Sequence, residues 1–446
     1  MTGLLDRYRY TWPDKGFDDL PDWRHLGDAR GYARNLPEPV DAIAADSRWP
    51  AFFPCPICFV TAGDGTRVGL EKVVGASIVN RFPYVLALSF CKDGLSERHH
   101  ARSTFMAILE AGGGVAVQYL PPGDGTDRVM NAIASVPDAR TDERLAATGL
   151  AVRPAATNAA AVLADAYMVY EARLVRPGTD FEGVPIYATP WLDVGSHRVY
   201  FLEITAIQLR MDIARGDTRI HWRSLPLWRP ERRSGGTIGT AASPTPAPGY
   251  QKGYTPHYRF PAAGTVAFEW DEAAHGMAIK HLPPLPEDQV EVDNDRARWP
   301  CFFPSSAGMI TSWAEDGAPN LMPCGSTTVL SRHPLVIAAA VSYAEINVRY
   351  APRASLDYIR SRGRFGCGVP FVDDAVIDAM RYAGNISKAS DRDKVTNAGL
   401  EVEPDAWAPV LPALPIHFDC QVIDEVRLGT HVLFLGEVVR IRVRAD

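Results

Sequence analysis

Two histidines sit in matching triplets, Gly195-Ser196-His197 and Gly429-Thr430-His431. A histidine at such a place can hold or move a proton near neutral pH, or orient a bound group. It reads equally as a surface residue at the start of a strand. Two further triplets, Arg102-Ser103-Thr104 and Arg353-Ala354-Ser355, precede apolar residues at helical spacing. An arginine beside a helix N-terminus makes a ready anion site, although Ser or Thr before a helix is also a common cap. The stretch Gly325-Ser326-Thr327-Thr328 offers backbone N–H groups and hydroxyls with no bulky side chain in the way. Cys55 and Cys58 form one C-x-x-C pair, and His99-His100 one adjacent pair. Neither has the second pair of ligands that a zinc site needs, so no metal is expected. No Ser-His-Asp order, phosphate-binding P-loop or HExxH motif is convincing.

The elements that carry these residues come twice. Arg48-Trp49-Pro50-Ala51-Phe52-Phe53-Pro54 returns as Arg298-Trp299-Pro300-Cys301-Phe302-Phe303-Pro304, a shift of 250 with six of seven residues identical. The likeness continues in order. ICFVTAGDG (57–65) parallels GMITSWAEDG (308–317), SIVNRFPYVLAL (77–88) parallels TVLSRHPLVIAA (328–339), and Gly149-Leu150 parallels Gly399-Leu400. Two copies of one domain are expected, at 40–213 and 291–446. Within each, short β-branched and aromatic runs alternate with a few helices. RSTFMAILEAG (102–112), ASLDYIRSRG (354–363) and DDAVIDAMRYAG (373–384) carry helical spacing and end in glycine. That mixture predicts a small closed barrel with appended helices, mainly β with some α, rather than a doubly wound sheet. Residues 214–290 contain SGGTIGTAASPTPAPG (234–249) and read as a linker with wrapping aromatic arms. Residues 1–39 read as a similar arm, with Trp12 and Trp23 as anchors.

Composition bounds the rest. The 446 residues are 46% hydrophobic, 10% aromatic and 22% charged, which is ordinary globular composition. Lys plus Arg number 46 against 53 Asp plus Glu, a net charge of −7. Such a balance gives no general attraction to nucleic acid or anionic membranes, and neither is expected as a partner. No apolar run reaches the roughly 18 residues of a spanning helix. The opening MTGLLDRYRYTWPDKG has no apolar signal core, so a cytoplasmic address is the default. Seven cysteines in such a chain do not suggest a disulfide framework.

The second copy resembles the flavin reductase-like proteins of the FMN-binding split-barrel fold. The residues that carry the resemblance are TSWAEDGAPNLM (311–322), GSTTVLSRHPLVIAAAVSY (325–343), RASLDYIRSRGRFGCGVP (353–370), GNISKASDRDKVTNAGLEVEP (384–404) and LGTHVLFLGEVVRIRV (428–443), in the family's order. The first copy matches by following the second and is worn: Asp393-Lys394 becomes Glu143-Arg144, and Gly436 becomes Leu202. The resemblance implies two split β-barrels that form an intrachain pseudo-dimer, with further homodimerisation left open. It implies FMN, with FAD as the alternative, and NAD(P)H as reductant. It places Gly325, Ser326, Thr327, Thr328, Arg353, Ser355, Asp393 and Lys394 at the cofactor. Ser77, Asn80, Arg102, Ser103 and Thr104 hold the equivalent places in the first copy. His431 and His197 become the candidate catalytic residues. The implied activity is hydride transfer through flavin. A specialised flavoenzyme acting on a bulky metabolite, or a non-catalytic flavin- or ligand-binding protein, are the alternatives.

Overall fold

The structure is a computed structural model. It describes residues 58–73, 75–80, 83–92, 103–121, 124–180, 182–195, 197–214, 227–229, 237–239, 271–281, 308–332, 334–343, 353–370, 374–414 and 416–443, together with Tyr32–Asn35. Arg102, His99, His100, Cys55, Trp12 and Trp23 lie outside the described residues, as does most of 214–290.

The first copy contains β1 (Cys58–Gly63), β2 (Val68–Val73), β3 (Gly75–Asn80), β4 (Val85–Cys91), α1 (Ser103–Glu110), β5 (Gly114–Tyr119), α2 (Asp124–Ser135), α3 (Thr141–Ala147), β6 (Met168–Leu174) and β7 (His197–Arg210). The second contains β8 (Gly308–Trp313), β9 (Pro319–Cys324), β10 (Thr327–Arg332), β11 (Leu335–Ser342), α4 (Ala354–Arg362), β12 (Arg364–Val369), α5 (Asp374–Asn385), α6 (Lys394–Asn397), β13 (Ile416–Arg427) and β14 (His431–Val443). The strands of the first copy run β2-β1-β5-β6-β7-β4-β3 across their sheet, and those of the second run β9-β8-β12-β13-β14-β11-β10. Strand for strand these are one topology. Each sheet is antiparallel and curled. The expectation of two split-barrel domains in one chain is met, and the three stretches read as helices form α1, α4 and α5.

The alternation of side chains along a strand explains why the strand sequences looked continuously apolar. In β4, Leu86, Leu88 and Phe90 point into the first barrel, while Val85 and Ala87 join a separate cluster. In β11, Ile337, Ala339 and Val341 fill the second barrel, while Val336, Ala338 and Ala340 join that same cluster. β7 adds Val199 and Phe201 to it, and β14 adds Leu433 and Leu435. The two copies are therefore packed together through the outer faces of equivalent strands. Polar bonds pin this seam: Ser89 Oγ donates to the Leu330 carbonyl, Tyr343 OH donates to Asp180 at 2.8 Å, and Arg427 pairs with Asp180 and Glu182.

Two short segments outside the barrels extend the last strands. Tyr32–Asn35 pairs with β14 of the second copy, and Met277–His281 pairs with β7 of the first. The segment before each copy thus adds a strand to the other copy's sheet. Among the described residues, no helix is long and apolar enough to cross a membrane.

Gly436 and Leu202 bear on core packing. A Cβ at Gly436 would lie 2.5 Å from the Phe365 ring and 2.8 Å from Cys420 Cβ. In the first copy Val115 stands at the place of Phe365, and Leu202 fills the space this leaves. The exchange of Gly436 for Leu202 falls inside the barrel cores, where a smaller neighbour accompanies the larger residue.

Candidate functional site

The α4 N-terminus of the second copy gathers cations. Arg353 precedes the helix in an extended conformation and makes no side-chain cap. Its backbone N–H donates to the Ser342 carbonyl at 3.1 Å, tying the helix start to the end of β11. Gly363 ends the helix at φ +63°, a conformation that favours glycine. Ser355, in the first turn, is buried, and its hydroxyl accepts from Asn320 Nδ2 at 2.9 Å. The segment after α5 then returns past this helix start. Lys388 is buried, with Nζ bonded to the Arg392 carbonyl. Lys394 is only 4% exposed, and the carboxylate that acts on its ammonium, that of Asp391, is itself bonded to Tyr382 and Asn397. Burial first, then the neighbouring charges of Arg353 and Lys388, push the Lys394 pKa down to about 8. A buried lysine beside two other cations and an uncapped helix N-terminus is a site built for an anion. Asp393 is exposed beside it and makes no side-chain cap on α6.

The other candidates lie on the seam. Ser326 accepts from Ala340 N through its carbonyl at 3.0 Å, and Thr327 Oγ1 donates to the Cys324 carbonyl at 2.8 Å. Gly325 and Ser326 are half-buried. Thr328 is 1% exposed, and its hydroxyl has no partner among the described residues. Across the ladder it faces Ala338, a residue of the seam cluster. Ser77, at the equivalent place in the first copy, is buried and faces Ala87. Asn80 crosses the seam. Its Oδ1 accepts from Thr430 N at 2.7 Å and from Thr430 Oγ1 at 2.8 Å, while its Nδ2 donates to the Pro83 carbonyl. Thr430 Oγ1 also lies 2.7 Å from His431 Nδ1. The threonine's one proton goes to Asn80, so His431 Nδ1 must be the donor to Thr430. The half-buried His431 faces Ser342 across the ladder, and Ser342 is the residue that accepts from Arg353 N. The structure therefore brings His431, Arg353, Ser355 and Lys394 to one end of the second barrel, with a residue of the first copy orienting the histidine.

The first copy differs around its helix start, though not in the place of its histidine. Ser103 is exposed and Thr104 half-buried at the start of α1. Asp138 accepts from Thr104 N at 2.7 Å and from Phe105 N at 3.2 Å. Arg144, at the place of Lys394, is 1% exposed and pairs with Glu71 and the Leu70 carbonyl. Glu143 is a surface residue bonded to Arg140. His197 is half-buried at the start of β7. Among the described residues, no group of three or more His, Cys, Asp or Glu could hold a metal.

The model of the flavin reductase like domain matches this chain twice, over residues 51–225 and 301–446. The chain belongs to the flavin reductase-like family. Similar solved structures include flavoredoxin from Methanosarcina acetivorans, at 18% identity over 30% of this chain and 66% of that one, with a TM-score of 0.26. Flavoredoxin of Desulfovibrio vulgaris (Miyazaki F) is 23% identical over 31% of this chain and 68% of its own, with a TM-score of 0.26. Nitrilotriacetate monooxygenase component B from Bacillus cereus is 18% identical over 31% and 69%, with a TM-score of 0.27. The chain thus spans about two thirds of the length of these structures. No curated protein sequence matches it.

In this flavin reductase-like chain, sequence reasoning singled out Arg353, Ser355, Lys394 and His431, which the structure clusters. It missed Lys388, Asn320 and Asp138. One signal was present for the first and last: the shift that aligns Gly149 with Gly399 also aligns Asp138 with Lys388, a reversal of charge between the copies.

Proposed function

We propose that this protein is an FMN-dependent oxidoreductase that draws reducing equivalents from NAD(P)H and serves a small-molecule substrate. The copies would span 40–213 and 291–446, joined by 214–290. The observation that carries the reading is Lys394, buried beside Arg353 and Lys388 at the uncapped start of α4, where three cations outnumber the single carboxylate of Asp391 that acts on Lys394. A phosphate monoester carries about −1.5 to −2 charges near neutral pH and three strong acceptors, which suits this donor set. A terminal phosphate of that kind belongs to FMN; the diphosphate of FAD is bridged on both sides and matches less well. Bound FMN supplies the redox chemistry itself.

The chain's own residues divide the remaining work. Lys394, Lys388 and Arg353 neutralise the phosphate, and Ser355 adds a hydroxyl held in place by Asn320. The Gly325–Thr328 turn offers the flavin ring a surface of small residues, and the unpartnered Thr328 hydroxyl is a ready donor there. His431 is fixed through Thr430 by Asn80, so a proton at Nδ1 is committed and the ring is oriented. His197 is the corresponding residue of the first copy. The test is direct. The apo chain titrated with FMN should show saturable binding, with riboflavin, which lacks the phosphate, bound at least 100-fold more weakly. Anaerobic addition of NADH or NADPH should then bleach the flavin absorbance. Equal binding of FMN and riboflavin would refute the phosphate assignment, and no bleaching by either nucleotide would refute the reductase activity.

A further inference from the structure

The two helix N-termini that correspond between the copies have opposite surroundings. At α4, three cations converge and no side chain caps the helix. At α1, the Asp138 carboxylate accepts from the first-turn amides of Thr104 and Phe105. Thr104 aligns with Ser355, Arg144 with Lys394, and Asp138 with Lys388. The carboxylate thus arrives from the chain position that, in the second copy, brings a cation. It is 6% exposed and stands 3.8 Å from Arg144, whose guanidinium is also matched by Glu71. Glu71 replaces Met322, and Gly69 replaces Asn320, the residue that holds the Ser355 hydroxyl. At Gly69 a Cβ would lie 3.0 Å from the Phe105 ring, so a side chain there would press on that ring. Among the described residues of the first copy, Arg144 is met by Glu71 and Asp138, and the place of Lys388 carries the Asp138 carboxylate instead of a cation.

We propose that Asp138 is a built-in anion that takes the place of a phosphate at α1, so that the chain holds flavin in its second copy alone. The identity of the excluded ligand rests on the FMN reading above, whereas the surrogate role of Asp138 does not. One carboxylate oxygen, Oδ2, accepting from two successive amides, with a guanidinium 3.8 Å from the other oxygen, repeats what a phosphate oxygen does at a helix start. The first copy then contributes to the site only across the seam, through Asn80 and the face that carries Ser77.

Three measurements on the full chain test this. Titration with FMN should end at one equivalent per chain; two equivalents would overturn the proposal. K388D places the first copy's carboxylate at α4, and should weaken FMN binding more than 100-fold in a protein that melts no lower than wild type; undiminished binding would overturn it. The third compares K394M with K394M/D138A, so that the second copy's response to anions is reduced and equal in both. Inorganic phosphate, against chloride at equal ionic strength, should raise the Tm of the double variant by more than that of K394M. A phosphate response in the folded double variant no larger than in K394M would overturn the surrogate. A wild-type chain that binds no FMN while phosphate still stabilises K394M/D138A beyond K394M would refute the flavin assignment and support the surrogate.

Discussion

Replacing Lys394 by Met should make the apo protein more stable and its flavin binding weaker. The ammonium is 4% exposed and stands near Arg353 and Lys388, and its pKa falls from 10.5 to about 8. One pKa unit corresponds to about 1.4 kcal/mol, so folding Lys394 in its charged form costs on the order of 3 kcal/mol. The sign follows from linkage. Below pH 8 both folded and unfolded states hold the proton, and the full cost is present. Between pH 8 and 10.5 the folded state loses its proton first, and the cost is relieved. Met keeps the length and apolar stem without the charge. Urea denaturation of apo K394M at pH 7 should therefore give a higher unfolding free energy than wild type, by up to about 3 kcal/mol. Flavin binding should move the other way. A charge-assisted bond to phosphate is worth about 1.5–3 kcal/mol, so FMN affinity should drop by roughly 10- to 150-fold. A bound anion also restores the lysine's proton, so wild-type affinity should fall by up to about tenfold per pH unit above pH 8. In K394M that slope should vanish. An apo K394M less stable than wild type at pH 7, with FMN affinity and its pH profile unchanged, would refute the reasoning.

Asn80 should matter to the second copy although it belongs to the first. Asn80→Leu leaves Thr430 N and Oγ1 without their acceptor, which should cost about 1–3 kcal/mol in urea denaturation. It should also release the His431 ring, detectable as a changed Nδ1 signal in nitrogen NMR. Gly436→Leu should destabilise the second barrel by about 1–3 kcal/mol through collision with Phe365, and adding Phe365→Val, the first copy's combination, should recover most of the loss in thermal melts. Phe201→Ala leaves a cavity in the seam cluster and should cost about 3–5 kcal/mol by denaturant titration. Residues 291–446 expressed alone expose Leu330, Val336, Leu433 and Leu435, and should self-associate in sedimentation experiments rather than remain a monomer.

Much of the architecture was legible in the residues. The shift of 250, carried by an Arg-Trp-Pro and a Phe-Phe-Pro, announces two copies before any element is assigned. Strand runs bounded by turns and helices closed by glycine are local signals, and Gly363 at α4 fulfils one of them. Arg353 and Ser355 were legible as an anion site because both lie at the helix start they serve. The remaining site residues reach it from elsewhere in the chain. Lys388 and Lys394 follow a different helix, and only the return of that segment past α4 gives them a common target. Asp138 has the same origin and the opposite sign. Nothing in a loop aspartate announces that it will cap a helix 34 residues earlier. The bond between Asn80 and Thr430 spans 350 positions. It exists because the outer faces of equivalent strands pack together, and a strand buried on both faces has no alternation to show which side meets the other copy. Local pattern specifies helices, strands and their ends. Which charges are left without partners is decided by packing, because a charge is satisfied or stranded only by neighbours that the fold brings to it.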